Sequence, residues 1–254
     1  MSATEVRTAA RTRVVARRRP WSFPWIVAEG QIAFTLLSAL GFGLVIAAVV
    51  AGIAWKSTIT SSIWESATNA IPWFSAVLAG HTLFQVVPMM IANGRTRRAA
   101  MIDAAQVIGA TTVVITLLTT LGYLIEWAVY RWQGWPRSIG GGHFFTTHSQ
   151  VGAIFWETLL TMAIWSALGA MVGIAFYRYD QYGWLALIPA AGVMVLTGVF
   201  MTTRTPVFDN VMDRYFSDWG RSLPVATLGA VLGLAITGAL IWRIVRDLPL
   251  RPWR

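Results

Sequence analysis

Long apolar runs alternate with short polar breaks along this chain, and most breaks carry arginine. Residues 31–55, 71–92, 99–127, 151–177, 184–201 and 223–245 each form such a run. A bilayer crossing needs roughly 20 mostly apolar residues in a helix. The pattern therefore predicts an all-α polytopic membrane protein with six transmembrane helices. Ahead of the first run, Pro20, Trp21, Phe23, Pro24 and Trp25 make an aromatic segment interrupted by proline. It reads as an amphipathic elbow over residues 20–26, lying at headgroup level. Between the fifth and sixth runs, Phe208, Val211, Met212, Tyr215, Phe216 and Trp219 recur at helical spacing, with Asp209, Asp213, Arg214 and Asp218 opposite. That is one apolar stripe of a short external helix, opened by Thr205-Pro206 and stopped by Gly220.

The break between the second and third runs is the sharpest. Asn93-Gly94 ends one apolar run, Arg95, Arg97 and Arg98 follow, and the next run starts at once. Glycine tolerates the left-handed conformation that closes a helix, and Thr96 can cap the next one through its hydroxyl. The expectation is a tight, strongly basic turn between two long helices.

Composition agrees with a membrane assignment. Only 12% of the 254 residues are charged and mean hydropathy is +0.59, where a soluble domain averages about 25% charged. Basic residues then set the orientation. Counting by predicted loop, fourteen of the 20 Lys and Arg fall on one side: Arg7, Arg11, Arg13, Arg17, Arg18, Arg19, the three of the Gly94 turn, Arg178, Arg243, Arg246, Arg251 and Arg254. Lys56, Arg131, Arg137, Arg204, Arg214 and Arg221 fall on the other. The richer side is expected to be cytoplasmic and to hold both termini. Residues 1–19 read as a basic cytoplasmic tail rather than a signal peptide, because the following apolar run is too long for one. Residues 20–248 form the membrane domain and 249–254 a second tail. Arginines at span ends answer to topology and not to nucleic acid.

Candidate chemistry is sparse. The chain has no Cys, which excludes disulfides, thiolate metal sites and a Cys nucleophile. No G-x-S-x-G, H-E-x-x-H or P-loop occurs, so no cofactor and no metal is assigned to this chain and ATP would have to bind elsewhere. His81 and Gln85 sit one turn apart near the middle of the second span, either bonded across helices or facing a polar path. Glu157, about two turns into the fourth span, is a paired or substrate-facing carboxylate or one that snorkels to the interface. His81, Gln85 and Glu157 are the candidate translocation path. Asp103 and Glu126 are expected to be interfacial and solvated, and His143 and His148 to be solvated in a Gly-rich loop. Thr111, Thr112, Thr116, Thr119 and Thr120 line a polar groove or bond to their own helix. Gly169 with Gly173, and Gly229 with Gly233, have the spacing of close helix contacts.

This layout resembles the permease subunits of ABC exporters of the ABC-2 type. The elbow at 20–26, the turn Asn93-Gly94-Arg95-Thr96-Arg97-Arg98 and the external helix at 205–220 carry the resemblance. It implies a dimeric translocation path, built with a second permease copy or paralogue in a bacterial inner membrane. It also implies a separate ABC ATP-binding subunit that supplies ATP and Mg and docks on Gly94, Arg95, Thr96, Arg97 and Arg98. A membrane chain without a nucleotide site moves solute uphill only with an ion gradient or a partner's ATP. Ion coupling usually leaves carboxylates or broken helices at mid-membrane, and the spans here read as continuous. The alternative is an integral membrane enzyme or a non-transporting accessory or sensor protein.

Overall fold

A computed structural model describes residues 22–57, 59–136, 139, 143–201 and 222–249. The basic tails and the proposed external helix of Phe208, Val211, Met212, Tyr215, Phe216 and Trp219 lie outside these residues. The elements are α1 (Ser22–Lys56), α2 (Ile63–Thr68), α3 (Ile71–His81), α4 (Val87–Ala92), α5 (Arg97–Gln133), α6 (Val151–Tyr179), α7 (Leu187–Met201) and α8 (Leu223–Arg246). A π-turn, Thr82–Val86, joins α3 to α4, and a 3₁₀ segment, Asp180–Ala186, joins α6 to α7. There is no strand among the described residues.

Five helical tracts are long and apolar enough to cross a membrane: Trp25–Lys56, Ile63–Ala92, Arg97–Gln133, Val151–Gly198 and Leu223–Arg246. The fourth tract holds both the fourth and fifth expected spans. It reverses at Asp180, whose φ of 54° no regular helix accommodates. The 3₁₀ segment then folds back onto α6, with Gly183 against Phe176 so closely that a Cβ would collide with backbone. The returning α7 has 15 described residues, short of a full crossing.

The N-terminal expectation needs correction. From Ser22 onward there is no separate elbow: Ser22–Lys56 is one continuous helix. Pro24 does not break it because it falls in the first turn, where backbone N–H groups have no intrahelical partner to lose. The second span is continuous but not regular throughout. Pro88 lacks an N–H and its ring crowds the carbonyl four residues back. The helix answers by widening over Thr82–Val86, where Val87 N–H donates to the Thr82 carbonyl.

The core is built on α6, with α3 packed against it and α7 and α8 packed together beside it. Gly80 and Gly169 touch backbone to backbone, so a Cβ on Gly80 would stand 2.9 Å from the Gly169 carbonyl oxygen. Gly173 abuts Gly80 in the same way, and Gly229 and Gly233 receive Phe200 and Thr197 of α7. Both glycine pairs are thus helix contacts, as their spacing predicts. Two buried polar nodes tie the helices at depth. Ser166 shares hydrogen bonds with Ser75 at 2.6 Å and Thr112 at 3.0 Å. Gln31 of α1 donates to the Thr82 hydroxyl at 2.6 Å and accepts from Thr111 at 3.3 Å. The remaining threonines of α5 are spent locally: Thr116, Thr119 and Thr120 each donate to the carbonyl four residues back. They pack, and make no continuous groove.

Side-chain anchors sort the described loops to two ends. Arg97 donates to the Leu248 carbonyl at 3.1 Å and Arg178 to the Ile244 carbonyl at 2.6 Å. The Gly94 turn, the Asp180 reversal and the end of α8 therefore share one end. Ser62, Glu126, His143 and Glu157 occupy the other. A cysteine at Asn93 should resist an impermeant thiol reagent in intact cells, while one at Ser57 should label. Labelling at Asn93 alone would reverse the orientation.

Candidate functional site

The basic turn has the geometry its sequence requires. Gly94 takes φ of 84°, and its N–H donates to the Ile91 carbonyl at 3.0 Å while Arg95 N–H reaches the Met90 carbonyl at 3.1 Å. Thr96 sits extended and its hydroxyl accepts from Ala99 N–H at 3.2 Å. Within this frame the three arginines differ. Arg95 is paired with Asp103 of α5. Arg97 holds the end of α8 through Leu248. Arg98 is exposed. Asp103 is therefore not a solvated interfacial carboxylate. Its side chain is 13% exposed, and Arg95 folds over it from two residues ahead of the helix start.

The opposite end gathers carboxylates and histidines from four segments. Glu157, in the second turn of α6, accepts from His143 Nδ1 at 2.6 Å and from Phe144 N–H at 2.9 Å. Its side chain is 5% exposed, so it is paired and does not snorkel. His143 Nε2 lies 3.5 Å from Glu65 Oε1, and the ring stacks on Phe145 with centroids 4.7 Å apart. Burial alone would lower the His143 pKa, but the hydrogen bond and charge of Glu157, joined by Glu65, outweigh it and leave the pKa raised.

Beside this pair lies a second one. Glu126 accepts from the Ser62 hydroxyl at 2.6 Å and from the N–H groups of Ile63 and Trp64, both at 2.9 Å. It thus closes the N-terminus of α2 from below. His148 is buried with Nε2 at 3.6 Å from Glu126 Oε2, and that nitrogen makes no hydrogen bond among the described residues. Neither Glu126 nor His148 is solvated, contrary to expectation. Loop 143–150 folds inward over α5 because Phe145 packs edge-on against Tyr123, which carries His148 into the same cluster.

A cavity of about 110 Å³ opens under this loop, with His143, Phe145, Tyr123 and Glu157 on one side and Trp165, Met194 and Thr197 on the other. Of the candidate path residues, only Glu157 reaches it. His81 and Gln85 are exposed on the outer face of the second span, beside Trp73 and Val77. The described residues contain no group of three or more His, Cys, Asp or Glu that could hold a metal ion.

Glu65, Ser62 and Gln31 were not singled out by their sequence context. For Glu65 a signal existed: Ser62-Ile63-Trp64-Glu65 is a capping-box pattern, and the Ser62 hydroxyl does accept from Glu65 N–H at 3.0 Å. Gln31 had none, since a single amide at the start of an apolar run names no partner.

Fold and site together define a multi-pass helical membrane protein with a basic turn at one end and a buried Glu–His cluster at the other. Comparison with family models, curated proteins and solved structures finds no match for the chain.

Proposed function

We propose that this chain is the membrane-spanning permease subunit of an ATP-driven exporter of the ABC-2 type, in a bacterial inner membrane. The observation that carries the proposal is the capped turn at 93–98. Gly94 and Thr96 fix its backbone, Arg95 and Arg97 are held by Asp103 and Leu248, and Arg98 is left exposed. A rigid hairpin that presents Arg98, whose side chain makes no hydrogen bond or ion pair among the described residues, suits docking to a soluble subunit, because little entropy is lost on binding. In this reading the fold-back at Asp180 divides the fourth tract into two crossings, giving six spans with cytoplasmic termini. The exposed His81 and Gln85 face is covered by a second permease copy or paralogue, since polar side chains at that depth need a partner. ATP and Mg reside on the partner ATPase.

The test is copurification of an ATP-binding cassette subunit with the tagged chain from its native membrane. Arg98→Glu should cut recovered ATPase severalfold at matched permease level, whereas Arg131→Glu at the opposite end should not. Absence of any ATPase partner would overturn the reading. Arg97 is the poorer test site, because its loss also frees the end of α8.

One observation favours a second reading, a membrane enzyme or sensor. His143, Glu157 and Glu65 converge beside a cavity, as catalytic or sensing groups do. A chain that retains its native activity with Arg98→Glu and loses it with Glu157→Gln would support that reading.

A further inference from the structure

The lining of the cavity under the His143 loop restricts what can occupy it. Five threonines line it, and four have already committed their hydroxyl protons: Thr68 to the Glu65 carbonyl, Thr119 to Ile115, Thr161 to Glu157 and Thr197 to Val193, at 2.7 to 3.0 Å. A carbonyl can only accept, so each of these hydroxyls turns a lone pair, and no proton, toward the cavity. The Asn69 amide gives one of its two protons to the Ser66 carbonyl at 3.1 Å. No Lys or Arg lines the space among the described residues. Its one fully buried charge is the Glu157 carboxylate, and Tyr123, Phe145 and Trp165 supply ring surface. A buried carboxylate, threonine acceptors and aromatic faces, with no Lys or Arg beside them among the described residues, favour a cation that brings its own donors over an anion.

We propose that this cavity is a binding site for a small organic ammonium ion carrying N–H donors, with Glu157 as its counter-ion and the threonine hydroxyls as acceptors. The volume of about 110 Å³ suits a short alkylammonium head. His143 is the built-in competitor. While protonated it neutralises Glu157 from the loop side, and once neutral it leaves the carboxylate's negative charge to be balanced by the ligand. The groups around it are Glu157 from α6, Glu65 from α2, Tyr123 and Glu126 from α5, and His148 of its own loop. Affinity therefore falls as pH drops through the His143 pKa, which lies above the ordinary histidine value. As a transported substrate the ammonium ion would rest on the permease reading, but binding to the isolated chain does not.

The experiment is isothermal titration of the purified full chain in detergent micelles with butylammonium, butanol, tetramethylammonium and potassium. Butylammonium should saturate one site. Butanol, which lacks the charge, should bind at least about tenfold more weakly, as expected for loss of one charge-assisted hydrogen bond. Tetramethylammonium, which lacks N–H donors, should also bind more weakly than butylammonium. Glu157→Gln should lower butylammonium affinity about tenfold while still accepting from Phe144 N–H. His143→Gln should flatten the pH dependence. The ligand series on the unaltered chain decides the matter even where a variant folds poorly. Equal binding of butylammonium and butanol, no binding of either, or saturation by potassium without displacement by the amine would each overturn the site. Amine binding without a copurifying ATPase would overturn the permease reading and leave the site standing.

Discussion

Gly173→Leu is expected to abolish recovery of monodisperse protein from membranes, or to lower its midpoint of thermal unfolding by many degrees. The wall a side chain would meet at Gly173 is the Gly80 backbone, which has no rotamer to change. Overpacking a core costs about 1–3 kcal/mol where neighbours can yield. Here α3 and α6 must separate, and with them the Ser75–Ser166 bond at 2.6 Å. Gly41→Leu is the matched control, since nothing stands within 4 Å of a Cβ built at Gly41 in α1. Equal stability of the two variants would show that α3 and α6 do not touch as described.

The second large effect is expected at Glu126. In Glu126→Ala three buried or half-buried donors, from Ser62, Ile63 and Trp64, lose their acceptor together. Each unsatisfied donor costs about 1–3 kcal/mol. Tyr130 softens the loss only at Ile63, whose N–H it also accepts at 3.3 Å. Glu126→Gln keeps one acceptor oxygen and should recover part of the stability. Thermal unfolding in micelles separates the three proteins, and alanine as stable as glutamine would mean Glu126 does not hold α2. The variant series also reports on His148, whose Nε2 faces the same carboxylate.

What could be read from sequence follows from how far each signal reaches along the chain. The Asn93-Gly94 stop and the Thr96 cap involve neighbours within four residues, and the structure reproduces both. The glycine pairs of α6 and α8 were legible because close packing of helices leaves a four-residue period. Partners brought together by folding were not. Glu126 meets Ser62 across 64 positions and Gln31 meets Thr82 across 51, and no local pattern announces either. The sequence leaves Glu157 open between a paired, a substrate-facing and a snorkelling carboxylate, and assigns the partner that pairs with it, His143, to solvent, because a glycine-rich loop gives no hint that Phe145 pulls it inward. His81 and Gln85, read as bonded across helices or facing a polar path, are exposed on the protomer. A polar side chain at that depth needs only a polar neighbour, and that neighbour can belong to another chain.

The π-turn after His81 has one more consequence. In a regular helix each residue advances the face by about 100°. A helix docked at both ends must therefore satisfy two partners with a single phase. The widened turn at Thr82–Val86 releases that constraint. The half holding Ser75 and Ala79 is indexed to α6, and the half holding Val87 and Met90 is indexed to the hairpin with α5. Pro88 thus acts as a phase shifter, letting one transmembrane segment keep two independent registers.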